Sequence, residues 1–110
     1  MGFYALHLHL HGLFRGHHLE LGRDADTGGQ TTYVLELIRA LAARPEVDRV
    51  EVLTRLIHDK RVSPDYAQPL EDLGGGACIV RLPCGPRRYL RKELLWPHLD
   101  ELADALTECL

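Results

Sequence analysis

The fold of this 110-residue chain is decided by residues 29–54, which read GQTTYVLELIRALAARPEVDRVEVLT. The first half of this stretch has an apolar stripe at helical spacing, formed by Val34, Leu37, Ile38 and Leu41. Pro45 is typical of the end of a helix, so we predict a helix from about Gly29 to Ala43. The alternating VEVLT that follows at residues 50–54 predicts a short strand.

The first strand of the chain is predicted before this helix, at residues 3–10. Its apolar residues alternate with histidines, which is the period of a strand, and they are Tyr4, Leu6, Leu8 and Leu10. Residues 11–27 are rich in glycine and histidine and predict a long loop. A strand, a helix and a further strand in this order form a βαβ unit with parallel strands and a right-handed crossover.

The remaining residues predict one more strand and one more helix. The strand is ACIVRL at Ala77–Leu82, and the helix begins near Trp96 and Pro97, since proline is accommodated in a first helical turn. Residues 57–76 between the strands are polar and contain prolines and glycines, so we expect them to be irregular. The last helix has an apolar face formed by Leu99, Leu102, Ala103 and Leu106.

These elements predict an α/β fold, a partial Rossmann-like parallel sheet of three strands with two helices. We expect residues 1–110 to form one small domain that is incomplete, because one sheet edge and one helix face are left uncovered. Exposed apolar surface of this kind promotes association. The chain is therefore expected to self-associate.

The composition excludes several classes of protein. With 45% hydrophobic and 26% charged residues and a formal net charge of -3, the chain is typical of a soluble globular protein without bulk attraction to nucleic acid or anionic membranes. It contains no apolar run of the roughly 20 residues that a membrane span needs, and it does not begin like a signal peptide. Its three cysteines lack metal-site or redox spacing. We expect a cytoplasmic protein with free thiols.

The stretch LELGRDADTGGQ at residues 19–30 lies between the end of a predicted parallel strand and the start of a helix. Open α/β sheets bind ligands in that place, and glycines there let backbone N–H groups approach a phosphate near the positive end of a helix. A structural alternative is equally compatible with the spacing, because Thr27 and Gln30 also form a capping box. The residues alone leave both interpretations open.

A set of motifs spread over nearly the whole chain resembles the opening of sucrose-phosphate synthases in order and spacing. The motifs are HGLFRG at 11–16, LELGRDADTGGQ at 19–30, YVLEL at 33–37, LTR at 53–55, SPD at 63–65 and KELLWPH at 92–98. Sucrose synthase, a related family, shares the TGGQ and WP elements but usually lacks the LGRD approach. The resemblance therefore favours the sucrose-phosphate synthase family.

The resemblance implies a retaining glycosyltransferase with two Rossmann-like domains, the GT-B fold of glycosyltransferase family 4, of which residues 1–110 are the N-terminal part of the acceptor-side domain. Such enzymes transfer glucose from UDP-glucose to fructose 6-phosphate, giving sucrose 6-phosphate and UDP. The donor-binding domain would follow residue 110, together with the histidine near the reacting sugar and the paired glutamates. The resemblance thus implies no catalytic residue in this chain and no activity of the chain alone.

The resemblance also implies which residues contact substrates. Gly28 and Gly29 would lie at the donor diphosphate and the acceptor, Gln30 would hydrogen-bond the acceptor sugar, and Lys92 would help to bind the phosphorylated acceptor. The family needs no metal or other cofactor for its chemistry, although magnesium can stimulate it. The expected partners are the small-molecule substrates, without nucleic acid or membrane.

Three alternatives stay open. One is a related transferase with another donor or acceptor, such as mannosylfructose-phosphate synthase or sucrose synthase, and another is a non-catalytic module that binds a phosphorylated sugar. The third is a metal site built on the histidines of the first strand, which share one face; they are His7, His9 and His11. No carboxylate motif accompanies them, so hydrogen-bonded or partly exposed histidines are favoured.

Two further features have competing interpretations. The basic loop at residues 85–92 suits a sugar phosphate, but its arginines are more typical of a solvated surface, and they are Arg87, Arg88 and Arg91. Trp96 is compatible with a sugar-stacking platform, but a tryptophan just before a helix start is more typical of a packing anchor.

Overall fold

The computed structural model describes residues 2–10, 12–17, 19, 29–90 and 92–109, and for Lys92 it describes the backbone alone. The strands and helices of this part are, in chain order, β1 (Phe3–Leu8), α1 (Gly29–Ala42), β2 (Val47–Arg55), β3 (Leu70–Gly74), β4 (Ala77–Leu82) and α2 (Leu99–Cys109). Short 3₁₀ turns lie at Pro64–Ala67, Lys92–Leu94 and Trp96–His98. Neither α1 nor α2 has the length and apolar content that a bilayer crossing requires.

The described strands form one sheet in the order β1-β2-β4-β3. The β1–β2 and β2–β4 pairs are parallel, with Ala5 opposite Val50 and Val52 opposite Ile79. Helix α1 connects β1 to β2 and packs on one face of the sheet. The predicted α/β fold and its βαβ unit are therefore confirmed.

The strand β3 is a correction to the sequence analysis, which expected residues 57–76 to be irregular. It pairs antiparallel with β4 through a tight turn whose glycines, Gly75 and Gly76, have φ of 61° and 88°. Glycine adopts these angles without steric cost, which allows the short reversal. The sequence LEDLG lacks the β-branched and aromatic residues that predict a strand. Its conformation follows from pairing with β4.

The main core lies between α1 and the sheet. It contains the buried side chains of Phe14, Val34, Leu35, Ile38, Val50, Val52, Ala77 and Ile79. Of the predicted helix stripe, Val34 and Ile38 are buried and the other two members are half-buried. Each fully buried side chain of this kind contributes about 1.5–3 kcal/mol to folding. The helical spacing thus predicted the correct face of α1.

The opposite face of the sheet is only partly covered. Helix α2 packs near β4, with Leu102 buried, whereas Ala103 of the predicted apolar face is exposed.

The alternation predicted for residues 3–10 is confirmed within β1. Of its two rows of side chains, the apolar row is the one that is exposed. This row consists of Tyr4, Leu6 and Leu8, which are 53%, 38% and 47% exposed.

We expect the 110-residue chain to self-associate through this uncovered side of β1. Among the described residues, β1 is an edge strand, and its exposed apolar side chains favour contact with another copy. The weight-average mass in sedimentation should rise with concentration, and Leu6→Lys should suppress the rise. Tyr33→Lys is the matched control, since Tyr33 is exposed on α1 away from this strand. A wild-type chain that stays monomeric at high concentration would contradict the prediction.

Candidate functional site

The parallel strands end at one edge of the sheet, which we call the carboxyl edge. Strand β1 ends there at Leu8, β2 at Arg55 and β4 at Leu82. Helix α1 begins on the same side, because a crossover helix starts where its preceding strand ends. Ligands of open α/β sheets bind outside such an edge, so the candidate site lies here.

The predicted site residues have different outcomes. Gly29 and Gln30 open helix α1 and are both exposed, so their position is compatible with contact to a ligand. Gly28 lies outside the described residues. Lys92 lies in the turn Lys92–Leu94, and its side chain is outside the description. The substrate contacts of these four residues stay predictions.

The segment 12–17, which follows β1, is irregular as predicted but packed into the protein. Leu13 and Phe14 are buried, and Phe14 joins the core under α1 while Leu13 packs with Ile57 and Tyr66. The rings of Phe14 and His9 lie 5.0 Å apart between their centroids. This segment therefore leaves the carboxyl edge and packs as a fixed part of the protein.

A buried ion pair holds the backbone of this segment. The side chain of Arg81 is 1% exposed, and its Nη2 donates to Glu71 Oε1 at 2.7 Å and to the Phe14 carbonyl at 3.0 Å. The second carboxylate oxygen of Glu71 accepts the Gly16 N–H at 2.8 Å. A Cβ at Gly16 would overlap Cδ2 of Leu73 and Oε2 of Glu71, so the ends of both side chains would have to move. Strands β3 and β4 thus fix residues 14 and 16.

Two further contacts join the segment to α1 and to the turn Pro64–Ala67. Arg39 of α1 donates from Nη2 to the Gly16 carbonyl at 2.8 Å. Arg15 pairs with Asp65 at 3.3 Å, and its guanidinium lies 5.2 Å from the centre of the Tyr66 ring. The motifs HGLFRG and SPD, far apart in the sequence, therefore meet at the carboxyl edge.

The basic loop after β4 lies along the same edge. Its Arg87 and Arg88 are exposed, as predicted for a solvated run, and Arg91 lies outside the described residues. Asp59 accepts the Tyr89 N–H at 3.1 Å, and hydrogen bonds from the Arg61 side chain, the Arg61 N–H and this N–H hold the pKa of Asp59 well below its usual range. Sequence reasoning missed Asp59, because a lone aspartate in a polar stretch carries no local signal.

Two other predictions concern Trp96 and the histidine row. The indole of Trp96 is 74% exposed and the neighbouring Leu95 is buried, so the interpretation of Trp96 as a packing anchor was wrong. In the described part of the chain, no three His, Cys, Asp or Glu side chains are grouped to hold a metal. His11 of the histidine row lies outside that part, so the metal alternative stays a prediction.

The cysteines are consistent with free thiols. None of the three forms a disulfide, and Cys78 and Cys84 are buried while Cys109 is exposed. Burial raises the pKa of both buried thiols, which keeps them protonated and poorly reactive.

The architecture defines a class of protein domain. An open, mostly parallel sheet, a crossover helix and a candidate site at the carboxyl edge form part of a Rossmann-like domain. Fold alone does not assign chemistry to such a domain. The identity of its relatives is therefore the stronger evidence for function.

The relatives of the chain are sucrose-phosphate synthases. Over 92% of its length, it is 50% identical to "Probable sucrose-phosphate synthase 1" of Oryza sativa subsp. indica, 47% identical to "Sucrose-phosphate synthase" of Zea mays and 47% identical to "Sucrose-phosphate synthase 1" of Arabidopsis thaliana. The chain spans 10–11% of the length of these proteins. No family model matches it. The resemblance predicted from the motifs is confirmed.

Proposed function

We propose that this chain is part of a longer protein that transfers glucose from UDP-glucose to fructose 6-phosphate. The bond between glucose C1 and the UDP oxygen breaks, and a bond forms from C1 to an acceptor hydroxyl, which loses its proton. The observation that carries this proposal is the identity of about half of the aligned residues with proteins named sucrose-phosphate synthase. The products are sucrose 6-phosphate and UDP.

Within this protein, we assign the chain to the acceptor side of the active site. The N-terminus of α1 offers backbone N–H groups and partial positive charge to a phosphate near Gly28 and Gly29. The Gln30 amide would hydrogen-bond the acceptor sugar, and the Lys92 ammonium would attract its phosphate. Residues elsewhere in the longer protein would supply the donor site and the reacting groups, so the 110-residue chain alone should be inactive.

The same proposal covers cofactors and location. The transfer needs no metal or other cofactor, and magnesium at most stimulates it. The substrates are small molecules, and neither nucleic acid nor a membrane takes part. Free thiols at all three cysteines are compatible with a reducing cytoplasm, which is the proposed location.

UDP release by the longer protein tests the proposal directly. Release from UDP-glucose should depend on fructose 6-phosphate, and the 110-residue chain alone should show none above background. Release that requires free fructose or a different sugar donor would overturn the substrate assignment. A protein that binds fructose 6-phosphate without any turnover would establish the non-catalytic module instead.

Gln30→Ala should mainly impair use of the acceptor. A hydrogen bond to a bound sugar, when left unpaired, costs about 1–3 kcal/mol, so kcat/KM for fructose 6-phosphate should fall about tenfold or more. Hydrolysis of UDP-glucose without acceptor should change little. Glu36→Ala is the matched control, because Glu36 is exposed on the same helix. Equal losses of transfer and hydrolysis would count against the assigned role.

A further inference from the structure

The described part of the basic loop, residues 85–90, owes its shape to contacts outside itself. It connects β4 to the turn Lys92–Leu94 and carries the exposed Arg87 and Arg88. The chain enters the loop at the buried Cys84 and leaves it at the buried Leu90. Between these points, the carbonyls of alternate residues converge on one side chain.

That side chain is Arg55, the last residue of β2, which is 4% exposed. Its Nε donates to the carbonyl of Cys84 at 2.8 Å. Its Nη2 donates to the carbonyls of Pro86 and of Arg88, the latter at 2.6 Å. Among the described carboxylates, none lies within salt-bridge distance of Arg55. These three hydrogen bonds of the Arg55 guanidinium therefore all go to backbone carbonyls, whereas Arg81 also pairs with a carboxylate.

The loop is also held from two other sides. The His58 N–H donates to the Arg87 carbonyl at 2.6 Å, next to the contact between Asp59 and the Tyr89 N–H. On the opposite side, the Gly85 N–H donates to the carboxylate of Glu101 in α2. These contacts hold single residues of the loop, whereas Arg55 joins three of its carbonyls through one side chain.

We propose that Arg55 is a positioning residue for the acceptor side of the active site. Its donors go to backbone carbonyls of residues 84–88, so it sets the path of the loop that leads into the turn Lys92–Leu94. This inference rests on the proposed function, in which Lys92 binds the acceptor phosphate. It assigns to the buried Arg55 a role in substrate affinity that its burial alone would not suggest.

The geometry of the guanidinium is essential to this role. Nε and Nη2 are separate donors in a rigid plane, so they reach carbonyls that stand apart along the loop. A lysine at this position keeps the positive charge but offers its donors from a single nitrogen. Arg55→Lys therefore keeps the positive charge that attracts the acceptor phosphate but removes the separate donors that shape the loop.

The first measurement is steady-state kinetics of the longer protein. Arg55→Lys should raise KM for fructose 6-phosphate at least tenfold, with smaller changes in KM for UDP-glucose and in acceptor-independent hydrolysis. Arg49→Lys is the matched control in the same strand, since Arg49 is half-exposed and paired with Glu51 away from the edge. If Arg55→Lys leaves the acceptor KM unchanged, or raises both values of KM equally, the positioning role is overturned.

The second measurement reports on the loop without any substrate. Trypsin should cleave after Arg87 and Arg88 at least tenfold faster in Arg55→Lys than in the wild type, while cleavage after Arg49 within β2 serves as the internal reference for unfolding of the whole chain. Asp59→Ala, which removes the acceptor of the Tyr89 N–H, should accelerate the same cleavages and provides a second variant. Unchanged cleavage in both variants would overturn the proposal.

The two measurements distinguish this inference from the proposed function. A longer protein that does not use fructose 6-phosphate overturns the proposed function, and KM is then measured for the acceptor that it does use. Faster cleavage together with a raised acceptor KM supports the positioning role. Faster cleavage with an unchanged acceptor KM shows that Arg55 holds a loop without importance for the acceptor, and this overturns the role.

Discussion

Replacing Arg81 by methionine should lower the free energy of unfolding by about 3–5 kcal/mol, because it leaves one partner of a buried ion pair without its counter-charge. The Glu71 carboxylate would keep its contact with the Gly16 N–H but lose the guanidinium at 2.7 Å. The carbonyls of Phe14 and Gln68 would lose their donors as well. A small domain is stable by about 5–15 kcal/mol, so this loss removes a large part of its stability.

Urea unfolding followed by circular dichroism measures this effect. The matched control is Arg44→Met, because the Arg44–Glu46 pair has a similar distance of 2.6 Å but both of its side chains are well exposed. Exposed pairs contribute little, so the control should unfold nearly like the wild type. Adding Glu71→Gln to Arg81→Met should recover part of the loss, since a neutral amide still accepts the Gly16 N–H. Similar losses in Arg81→Met and Arg44→Met would contradict the prediction.

Most elements of the fold could be predicted because their sequences carry a period. The helical stripe of α1 and the apolar runs of β2 and β4 each identify the element and its buried face. Strand β3 has no such pattern, since LEDLG is extended only through its pairing with β4. The face of α2 was predicted less well at Ala103. Ala103 keeps its helical spacing within α2, but among the residues of this helix only Leu102 is buried, so the covered face is narrower than the apolar stripe.

The candidate site could be predicted as a list of motifs but not as an arrangement. Arg15 meets Asp65 across 50 residues of sequence, and Gly16 meets Glu71 across 55. Contacts of this kind depend on the path of the whole chain, which no local spacing encodes. Arg55 belongs to the motif LTR, yet the motif gives no indication that its guanidinium binds three carbonyls of a loop.

Gly85→Ala should destabilise the chain by about 2–3 kcal/mol, because two costs add at this position. Gly85 has φ of 65°, a conformation that costs an L-residue about 1–2 kcal/mol. An added Cβ would also lie 2.6 Å from Cγ of the His98 ring, so the ring or the loop would have to move. Movement is restricted, since the Cys84 thiol donates to the His98 carbonyl and the Gly85 N–H donates to Glu101.

Thermal or urea unfolding of matched variants separates the two costs. Gly75→Ala has nearly the same backbone angle, with φ of 61°, but its Cβ would meet no atom within 4 Å, so it should cost about 1 kcal/mol. In a chain that already carries His98→Ala, Gly85→Ala should cost only about 1 kcal/mol of unfolding free energy, because the ring that its Cβ would meet is absent. Equal costs for Gly85→Ala and Gly75→Ala would show that the ring moves freely. A larger cost at Gly85 means that the turn Trp96–His98 is packed firmly against the basic loop.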